Sequence, residues 1–296
     1  MCCVPALPEQ DTALLDRELA ARDLVTRDLI VIPARFGSKR LPGKPLIPIA
    51  GRPLLERVVA TARHAAAVAG DVDVVVATDD ERVADLARSL DCEVALTSSD
   101  ISSGSGRACA AALARVARPE IVVNLQGDAP FIPPSVIMEL IEAARSTDAS
   151  VATPVVRLDW ASLERMREHK RTAPFSGTTC VRATDGRALW FSKSILPAIR
   201  DEADQQKLEA LSPVFRHLGL YAYRLDALEQ FERSAPSHYE SLEGLEQLRF
   251  LEMGLAIQTV EVAPPSHAMS GIDTLEDVAL AEALIEQLGD PHSAWA

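Results

Sequence analysis

From residue 28 to residue 146, short apolar runs alternate with longer segments whose apolar residues recur at helical spacing. The apolar runs read DLIVIP, VDVVVATDD, CEVAL and EIVVNLQGDAP, and a helical segment follows each of them. Short apolar runs are typical of buried parallel strands, and the amphipathic segments between them are typical crossover helices. The alternation therefore predicts an α/β fold, a doubly wound and mostly parallel sheet with helices on both faces.

Two helix boundaries carry local signals. Gly70 follows the first helical segment, at the position where glycine commonly ends a helix. Thr78 and Glu81 have the spacing of a capping box, which predicts that Thr78 caps the second helix. In the last helical segment, TLEDVALAEALIEQLG, the residues expected to face inward are Val278, Ala281, Ile285 and Leu288.

After residue 150 the pattern changes to short strands, which read SVATPVV, TTCVRATDGRALWFS and HLGLYAYR. The DGR turn within the second of them predicts a hairpin, and the segment 197–213 is expected to be a loop or a short helix. We expect one domain over residues 28–296, with an inserted mixed or antiparallel sheet at about 151–225. Residues 1–27 form an N-terminal extension with a predicted amphipathic helix over 9–25.

Charge and composition exclude several classes of protein. The chain has 43 acidic and 30 basic side chains, a net charge of −13, which argues against a nucleic-acid partner and an anionic membrane surface. No apolar run is long enough for a transmembrane helix, and the N-terminus lacks the features of a signal peptide. The cysteines are odd in number and lack paired spacing, which disfavours zinc or disulfides and favours a cytoplasmic location. They are Cys2, Cys3, Cys92, Cys109 and Cys180.

One loop departs from the acidic background. The stretch IPARFGSKRLPGKPL, residues 32–46, directly follows the first predicted strand and contains no acid. Its glycines allow tight turns that aim backbone N–H groups at an anion, while Arg35, Arg40 and Lys44 add full charges. This set of groups suits the binding of a polyphosphate. The alternative interpretation, a solvated basic loop with no ligand, stays open. The loop is not a Walker P-loop, because Pro45 follows the lysine, and no GxGxxG motif is present.

Two aspartates are candidates for a metal site. Asp128 lies in the turn LQGDAP after a predicted buried strand, and Asp273 lies beside a glycine just before the last predicted helix. Magnesium typically takes one or two protein carboxylates and completes its octahedron with phosphates and water. Both residues could instead be ordinary turn or helix-capping aspartates, because Thr274 and Glu276 also have the character of helix-start residues.

Several segments together resemble a known family. IPARFGSKRLPGKPL, LQGDAPFI, HLGLYAYR, LEGLEQLR and GIDTLEDV occur in the order and spacing of the 3-deoxy-manno-octulosonate cytidylyltransferases, the CMP-Kdo synthetases. The resemblance spans roughly residues 28–288. The first segment marks the wider class, which includes the CMP-sialate synthetases, whereas HLGLYAYR and LEQLR narrow the resemblance to the Kdo branch.

The resemblance implies a Rossmann-like nucleotidyltransferase fold and a specific reaction. CMP would pass from CTP to a 2-keto-3-deoxy sugar acid, with Mg²⁺ as cofactor and pyrophosphate as the leaving group. The partners implied are CTP, an anionic sugar-acid acceptor and a second copy of the chain, in a homodimer that uses the mixed sheet. No covalent nucleophile is required by such a transfer.

The resemblance also assigns roles residue by residue. The catalytic set would be Arg35, Lys44, Asp128 and Asp273, with Asp128 and Asp273 as the metal ligands. The CTP-binding set would be Arg35, Ser38, Arg40, Lys44, Arg107 and Gln126. The acceptor-binding set would be Gln126, Lys193, His217, Tyr221, Glu246 and Gln247.

Four positions depart from the family pattern. Gly106 and Ala129 stand where an acid is usual, Lys193 stands where the family has arginine, and Leu275 replaces a proline. Lysine is a point charge and cannot form the bidentate fork of arginine on a carboxylate. Two alternatives therefore stay open: transfer to another acceptor (a sialate-type acid, a phosphonate or a sugar 1-phosphate), or a catalytically weak paralogue that binds CTP.

Overall fold

The computed structural model describes residues 27–38, 40–267, 269 and 271–294. The helix expected over residues 9–25 lies outside the described residues. Within the described part of the chain there are twelve strands and ten α-helices. The strands are β1 (Asp28–Pro33), β2 (Pro48–Ile49), β3 (Arg52–Pro53), β4 (Val72–Thr78), β5 (Glu93–Leu96), β6 (Ile121–Asn124), β7 (Val151–Asp159), β8 (Thr179–Arg182), β9 (Ala188–Ser192), β10 (Leu211–His217), β11 (Tyr221–Arg224) and β12 (Ile257–Glu261).

The helices alternate with the strands in the first half of the chain and cluster towards its end. They are α1 (Leu54–Ala69), α2 (Glu81–Ser89), α3 (Gly104–Leu113), α4 (Pro134–Ser146), α5 (Trp160–Thr172), α6 (Glu202–Leu208), α7 (Leu225–Arg233), α8 (His238–Glu243), α9 (Glu246–Glu252) and α10 (Leu275–Leu288). None of the described helices is long and apolar enough to cross a membrane.

Ten of the strands form one sheet in the order β5-β4-β1-β6-β11-β7-β10-β8-β9, and β12 pairs with β7. Strands β5, β4, β1 and β6 are parallel, and β12 is parallel to β7. Because β11 is antiparallel to both β6 and β7, these two strands run in the same direction. The carboxyl ends of β1, β4, β6, β7 and β12 therefore lie at one edge of the sheet. The predicted fold class is confirmed.

The antiparallel strands β8, β9, β10 and β11 are part of the main sheet, whereas β2 and β3 form a separate two-stranded antiparallel sheet. Strands β8 and β9 form the predicted hairpin, which turns at Gly186 with a φ of 86°. Strand β10 pairs with both β7 and β8, and so attaches the hairpin to the main sheet.

The strand predicted over HLGLYAYR is two strands. Strand β10 ends at His217, and β11 begins at Tyr221 after a tight turn in which the Leu220 N–H donates to the Leu218 carbonyl at 2.8 Å. Strand β10 itself begins at Leu211, inside the segment expected to be a loop or short helix, and that segment also contains α6. The expected short helix is therefore present as α6, and only residues 211–213 depart from the expectation. They were not predicted as strand because β10 has an irregular register against β7 and contains Pro213, which hides the alternation of a strand.

The core lies on both faces of the sheet. In β1, Ile30 and Ile32 pack on one face with α1 and α4, while Leu29 and Val31 pack on the other with α3 and α7. All four side chains are fully buried, which explains the continuous apolar run in the sequence. The helix α3 is rich in alanine, and its small side chains let it lie close to the sheet.

Helix boundaries confirm one local signal and contradict another. Helix α1 ends at Ala69, and Gly70 follows it with a φ of 66°, as predicted. Thr78 does not cap α2, because it is the last, buried residue of β4; Asp80 is the cap, and its carboxylate accepts from the Arg82 N–H at 3.0 Å.

The last helix follows its predicted pattern with one exception. The side chains of Val278, Ala281 and Ile285 pack against the core, but Leu288, the last residue of the helix, is 49 % exposed. The cysteines among the described residues, Cys92, Cys109 and Cys180, are buried thiols that form no disulfide.

Candidate active site

The basic loop follows β1 at the carboxyl edge of the sheet. Its backbone folds around the Phe36 carbonyl, which accepts from the Ser38 N–H at 2.9 Å and from the Gly43 N–H at 3.0 Å. Gly43 has a φ of 71°, a left-handed conformation that favours glycine. The Arg82 guanidinium lies 3.4 Å from the centre of the Phe36 ring and covers the outer side of the loop. The loop is thus held in a defined shape.

Asp128 is placed by a close approach of two backbones. The turn after β6 brings Gly127 against the carboxyl end of β1, where its N–H donates to the Pro33 carbonyl at 3.3 Å. A Cβ at Gly127 would lie 2.6 Å from that carbonyl oxygen, so only glycine fits this contact. Asp128, the next residue, therefore stands at the mouth of the crevice beside β1.

Asp273 is brought to Asp128 by two hydrogen bonds. The N–H of the buried residue Ile272 donates to the Asp128 carbonyl at 2.9 Å. The Asp273 N–H donates to the Asp277 carboxylate at 2.9 Å, and that carboxylate also accepts from the N–H of Thr274, the cap of α10. Two acids that are distant in sequence therefore lie side by side.

Basic side chains of the loop bind these two acids. The Lys44 ammonium lies 2.6 Å from an Asp128 oxygen and 3.0 Å from an Asp273 oxygen. The Arg40 guanidinium contacts the other Asp273 oxygen at 2.8 Å. A pair of carboxylates that already shares one cation matches the donor set of magnesium, which takes one or two carboxylates together with phosphates and water. No cluster of three or more His, Cys, Asp or Glu suited to a metal occurs among the described residues.

The loop, the aspartates and the start of α3 surround a cavity of about 430 Å³. Its lining includes every residue that the resemblance assigned to CTP and to the metal, namely Arg35, Ser38, Arg40, Lys44, Arg107, Gln126, Asp128 and Asp273. Arg35 and Arg40 are exposed in the mouth of the cavity, and so their guanidinium groups are accessible to an anionic ligand.

Arg107 differs from the other cations of the cavity because protein groups already occupy its guanidinium. It is 2 % exposed and donates to the Asp79 carboxylate at 3.1 Å, to the Ile101 carbonyl at 2.9 Å and to the Thr97 hydroxyl. These bonds fix the loops that follow β4 and β5. Arg107 therefore shapes one wall of the cavity.

Sequence reasoning missed part of the other wall. Ser102, Ser103 and Gly104 line the cavity at the start of α3. A Cβ at Gly104 would lie 2.8 Å from the Gln126 amide nitrogen, so this glycine makes room for the Gln126 side chain. The run of small residues SSGSG was the available signal.

A second group of residues forms on the adjoining mixed strands. Tyr221 begins β11 and pairs there with Asn124, whose side chain accepts from the Gln126 amide at 3.0 Å. The Tyr221 hydroxyl donates to the Gln247 side chain at 3.0 Å. Gln247 is 3 % exposed, and its buried amide nitrogen has no hydrogen-bond partner in the structure. A buried donor without an acceptor is uncommon, and it marks a place where a ligand can bind.

The ionisation states in this group follow from burial. Burial raises the pKa of Tyr221 and of Glu246, so the phenol keeps its proton. Burial, assisted by the nearby Lys193 charge, lowers the pKa of His217 to about 3. The Thr153 hydroxyl donates to the Leu220 carbonyl at 2.8 Å and lies 2.9 Å from His217 Nε2, which must therefore be the donor of that contact. His217 is neutral, with its proton on Nε2.

Lys193 lies just beyond β9, and its side chain is partly buried. Among the described residues, no carboxylate lies within 4 Å of its ammonium group. Burial lowers the pKa of Lys193, against the opposing effect of Glu243. A lysine without a counter-ion beside a neutral histidine is available for an anion.

One departure from the family pattern has a visible neighbour. A Cβ at Gly106 would lie 2.8 Å from a carboxylate oxygen of Glu232, which reaches over from α7. The acid absent at position 106 is therefore replaced in space by one from another helix. Leu275, in contrast, is 67 % exposed, and the structure offers no reason for its choice.

Comparison with known proteins places the chain in context. A family model described as "Cytidylyltransferase" matches residues 29–257. The 3-deoxy-manno-octulosonate cytidylyltransferase of Maricaulis maris strain MCS10 is 40% identical over 263 residues, 88% of this chain and 98% of that protein. The protein of the same name from Haemophilus influenzae strain 86-028NP is 37% identical over 264 residues, 86% of this chain and 97% of that protein.

Solved structures give the same result. CMP:2-keto-3-deoxy-manno-octonic acid synthetase, determined in complex with CTP, is similar with a TM-score of 0.76 and 34% identity. The match covers 89% of this chain and all of that one. A cytidylyltransferase from Leptospira borgpetersenii, 16% identical with a TM-score of 0.56, shares the fold.

Proposed function

Because the chain belongs to the cytidylyltransferase family, in the 3-deoxy-manno-octulosonate cytidylyltransferase branch, we propose that it transfers CMP from CTP to a Kdo-type sugar acid and releases pyrophosphate. One observation carries the proposal. The basic loop after β1 meets Asp128 and Asp273 across a cavity, so that cations for a triphosphate and carboxylates for a metal share one site.

The donor half of the reaction uses the basic loop. Arg35, Arg40 and Lys44 bind the triphosphate of CTP, arginine as a planar fork and lysine as a point charge. Negative charge builds up on the departing pyrophosphate, and these three cations stabilise it where it develops. Arg107 and Gln126 complete the nucleotide side of the cavity, Arg107 through the loops that it holds.

We propose Mg²⁺ as the cofactor, held by Asp128 and Asp273. When bound, the ion neutralises phosphate oxygens and lowers the pKa of the attacking hydroxyl. Asp277 keeps Asp273 in place through its bond to the Asp273 N–H, and the Ile272 N–H ties both acids together.

The acceptor half of the reaction uses the residues of the mixed strands. The Lys193 ammonium binds the carboxylate of the sugar acid, and the unsatisfied amide of Gln247 donates to one of its oxygens. His217 and Tyr221 are neutral and serve as hydrogen-bonding groups, and Glu246 and Gln126 complete the proposed acceptor-binding set. None of these groups has to move a proton at neutral pH.

The chemical step is an in-line displacement. The anomeric hydroxyl of the sugar acid gives its proton to solvent water, and its oxygen forms a bond to the α-phosphorus of CTP. The bond from the α-phosphorus to the oxygen that bridges to the β-phosphate breaks, and that oxygen leaves with pyrophosphate. CMP-sugar acid and pyrophosphate are the products. Catalysis consists mainly of holding the two substrates in line and of stabilising charge.

We also propose a homodimer. A cavity of about 960 Å³ lies on the mixed half of the sheet, lined by apolar residues such as Phe131, Met166, Leu218 and Val262 and by charged residues such as Arg157 and Asp159. Arg216 lines it too, with a buried Nε that has no hydrogen-bond acceptor. A second copy would cover this surface and bring an acceptor to Arg216. Sedimentation velocity tests the dimer, and a constant mass of 31.9 kDa at all concentrations would contradict it.

A cytoplasmic location is also proposed, because CTP is made there. Separation of cell fractions, followed by assay of CTP-dependent pyrophosphate release in each, tests this location. Activity confined to a membrane or exported fraction would contradict it.

The experiment for the reaction measures pyrophosphate released from CTP and Mg²⁺ by purified protein. The acceptor panel is Kdo, a sialate-type acid, a phosphonate and a sugar 1-phosphate, with UTP and ATP as control donors and EDTA as the metal control. We expect turnover with CTP and Kdo. Turnover with another acceptor in preference to Kdo would favour the same transfer on a different substrate. Tight CTP binding with no turnover on any acid would overturn the proposal.

A further inference from the structure

Lys193 lies one residue beyond Ser192, the last residue of β9 that pairs with β8. Its backbone groups are nevertheless bound, each by a charged side chain. The Lys193 N–H donates to the Glu243 carboxylate at 2.6 Å, and the same oxygen accepts from the Ser192 hydroxyl at 3.0 Å. The Lys193 carbonyl accepts from the Lys170 ammonium at 2.6 Å. Side chains of two helices, α8 and α5, therefore form hydrogen bonds with the backbone of this one residue.

Lys170 contacts a neighbouring loop as well. Its ammonium also lies within hydrogen-bond distance of the Ser176 carbonyl, of the Gly177 carbonyl at 3.1 Å and of the Pro174 carbonyl at 3.3 Å, so that its three N–H groups are shared among four carbonyls. Hydrogen bonds from an ionised donor are about twice as strong as neutral ones. Burial lowers the pKa of Lys170, and the positive charge of Lys193 adds to that effect. Lys170 thus ties the loop 173–178 to the backbone of Lys193 and uses no carboxylate to do so.

The side chain of Lys193 is left free by this arrangement. Its ammonium has no carboxylate within 4 Å among the residues that the structure describes. It lies near enough to His217 to help lower the pKa of that imidazole. A fixed backbone therefore carries a positive charge near His217, one of the proposed acceptor-binding residues.

We infer that Lys170 and Glu243 are positioning residues for acceptor binding: they fix the Lys193 backbone so that its ammonium meets the carboxylate of the sugar acid. This inference rests on the proposed function. Lysine is a flexible point charge and lacks the pre-organised fork of arginine. The position of the ammonium group must then be set by the Lys193 backbone. The hydrogen bonds of that backbone with Lys170 and Glu243 hold it in place.

The test compares substitutions that each remove one of the two hydrogen bonds to the Lys193 backbone. In Lys170→Met and Glu243→Ala, the KM for the sugar acid should rise about tenfold, the effect of losing one hydrogen bond to a charged group. The kcat and the calorimetric Kd for CTP should change less than about twofold, since neither residue lines the nucleotide cavity. Glu243→Gln keeps an oxygen for the Lys193 N–H, so it should recover most of the loss seen in Glu243→Ala.

Lys207→Met is the matched control. Lys207 is 74% exposed, and its ion pair is with Asp204 in the same helix, so the acid KM should stay at the wild-type value. The inference is wrong if folded Lys170→Met and Glu243→Ala both keep the wild-type acid KM. It is also wrong if the Kd for CTP rises as much as the acid KM. If Lys170→Met does not fold, the acid KM values of Glu243→Ala and Glu243→Gln alone decide whether the inference holds.

A crystal-structure comparison separates this inference from the proposed function. If the wild-type protein turns over no sugar acid, the proposed function fails. The positioning role of Lys170 and Glu243 is then tested by the position of the Lys193 backbone in crystal structures of the variants. In Lys170→Met, which cuts the link between them, the Lys193 backbone and the loop 173–178 should both shift, and in Glu243→Ala the Lys193 backbone should shift. An unchanged Lys193 position in these variants overturns the inference, whatever the outcome of the acceptor assay.

Discussion

The ammonium of Lys44 lies 2.6 Å from the carboxylate of Asp128 and 3.0 Å from the carboxylate of Asp273. A protein cation thus lies between the two acids that we propose as metal ligands. Two neighbouring carboxylates repel each other, and a cation between them relieves that repulsion. In the arrangement seen here Lys44 meets the same oxygens that a metal would use, whereas our proposal for catalysis needs Lys44 on the phosphates.

Replacing Lys44 with glutamine is therefore expected to have opposite effects on metal and nucleotide. Without CTP, binding of Mn²⁺ (a spectroscopic substitute for Mg²⁺) should become tighter, because the competing ammonium is gone. The kcat should fall by about 100- to 1000-fold, the usual effect of removing one group that stabilises charge in the transition state. Electron paramagnetic resonance measures free Mn²⁺, and calorimetry measures CTP.

Lys207→Gln serves as the control for the loss of one lysine charge, since Lys207 is exposed on α6. Unchanged or weaker Mn²⁺ binding by Lys44→Gln in the absence of nucleotide would show that Lys44 does not compete with the metal.

Two glycines at the site provide a second prediction, because an added methyl group meets different obstacles. In Gly127→Ala the Cβ would lie 2.6 Å from the Pro33 carbonyl, a backbone atom that cannot move away. We expect a loss of about 1–3 kcal/mol in the free energy of unfolding. In Gly104→Ala the obstacle is the mobile end of the Gln126 side chain, so stability should change by less than about 0.5 kcal/mol.

Activity should respond differently from stability in this pair. Gly104→Ala displaces the Gln126 amide in the nucleotide cavity. We therefore expect the KM for CTP to rise about tenfold, the cost of one lost hydrogen bond to a charged group. Urea unfolding and initial-rate kinetics on both variants decide the matter. Equal stability of the two variants would contradict our account of the Gly127 contact.

Asp277 gives a third prediction, since its carboxylate completes the capping box of α10 by accepting from the Thr274 N–H and also binds the Asp273 N–H. Asp277→Ala should lower the free energy of unfolding by about 0.5–2 kcal/mol, the usual cost of losing a helix cap. It should also raise the Mg²⁺ concentration that gives half-maximal activity, because Asp273 loses its support. Glu276→Ala, one residue earlier and exposed, is the control. A wild-type Mg²⁺ requirement in folded Asp277→Ala would show that Asp277 stabilises the start of α10 but does not support Asp273 as a metal ligand.

The donor half of the site could be predicted from the sequence for a physical reason. Parallel strands bring their carboxyl ends to one edge, so residues that directly follow β1 and β6 must meet there. Lys44 and Asp128 lie in the loop and the turn that follow these strands, and their contact shows that the loop and the turn meet at this edge. Asp273 obeys no such rule, since it precedes a helix, and only the family resemblance selected it over an ordinary capping residue.

The support for Lys193 could not be predicted, because its partners bind backbone atoms. Lys170 lies in the basic last turn of α5, and in the sequence it has the character of a solvated lysine. Glu243 ends a short acidic helix. Neither the carbonyl that Lys170 binds nor the N–H that Glu243 binds has a side-chain signature. Local signals fail in a similar way at Thr78, where a capping-box spacing lies inside a strand whose pairing takes precedence.

The last prediction concerns pH. In an unfolded chain a histidine has a pKa near 6.5, whereas burial beside Lys193 lowers the pKa of His217 to about 3. Between these values the unfolded chain binds more protons than the folded one, so folding stability due to His217 is complete above pH 6.5 and is lost as the pH falls. From pH 7 to pH 5.5 this loss amounts to about 1 kcal/mol.

His217→Gln removes this titration, so the free energy of unfolding of the variant should fall less than that of the wild type over the same interval. Urea unfolding at the two pH values measures both changes, and His169→Gln, at an exposed position of α5, is the control. Equal slopes for wild type and His217→Gln would mean that His217 titrates alike in the folded and unfolded chain. That result would also remove the basis for treating His217 as a neutral donor beside Lys193, since a protonated imidazole there would repel the lysine ammonium and bind the acceptor carboxylate itself.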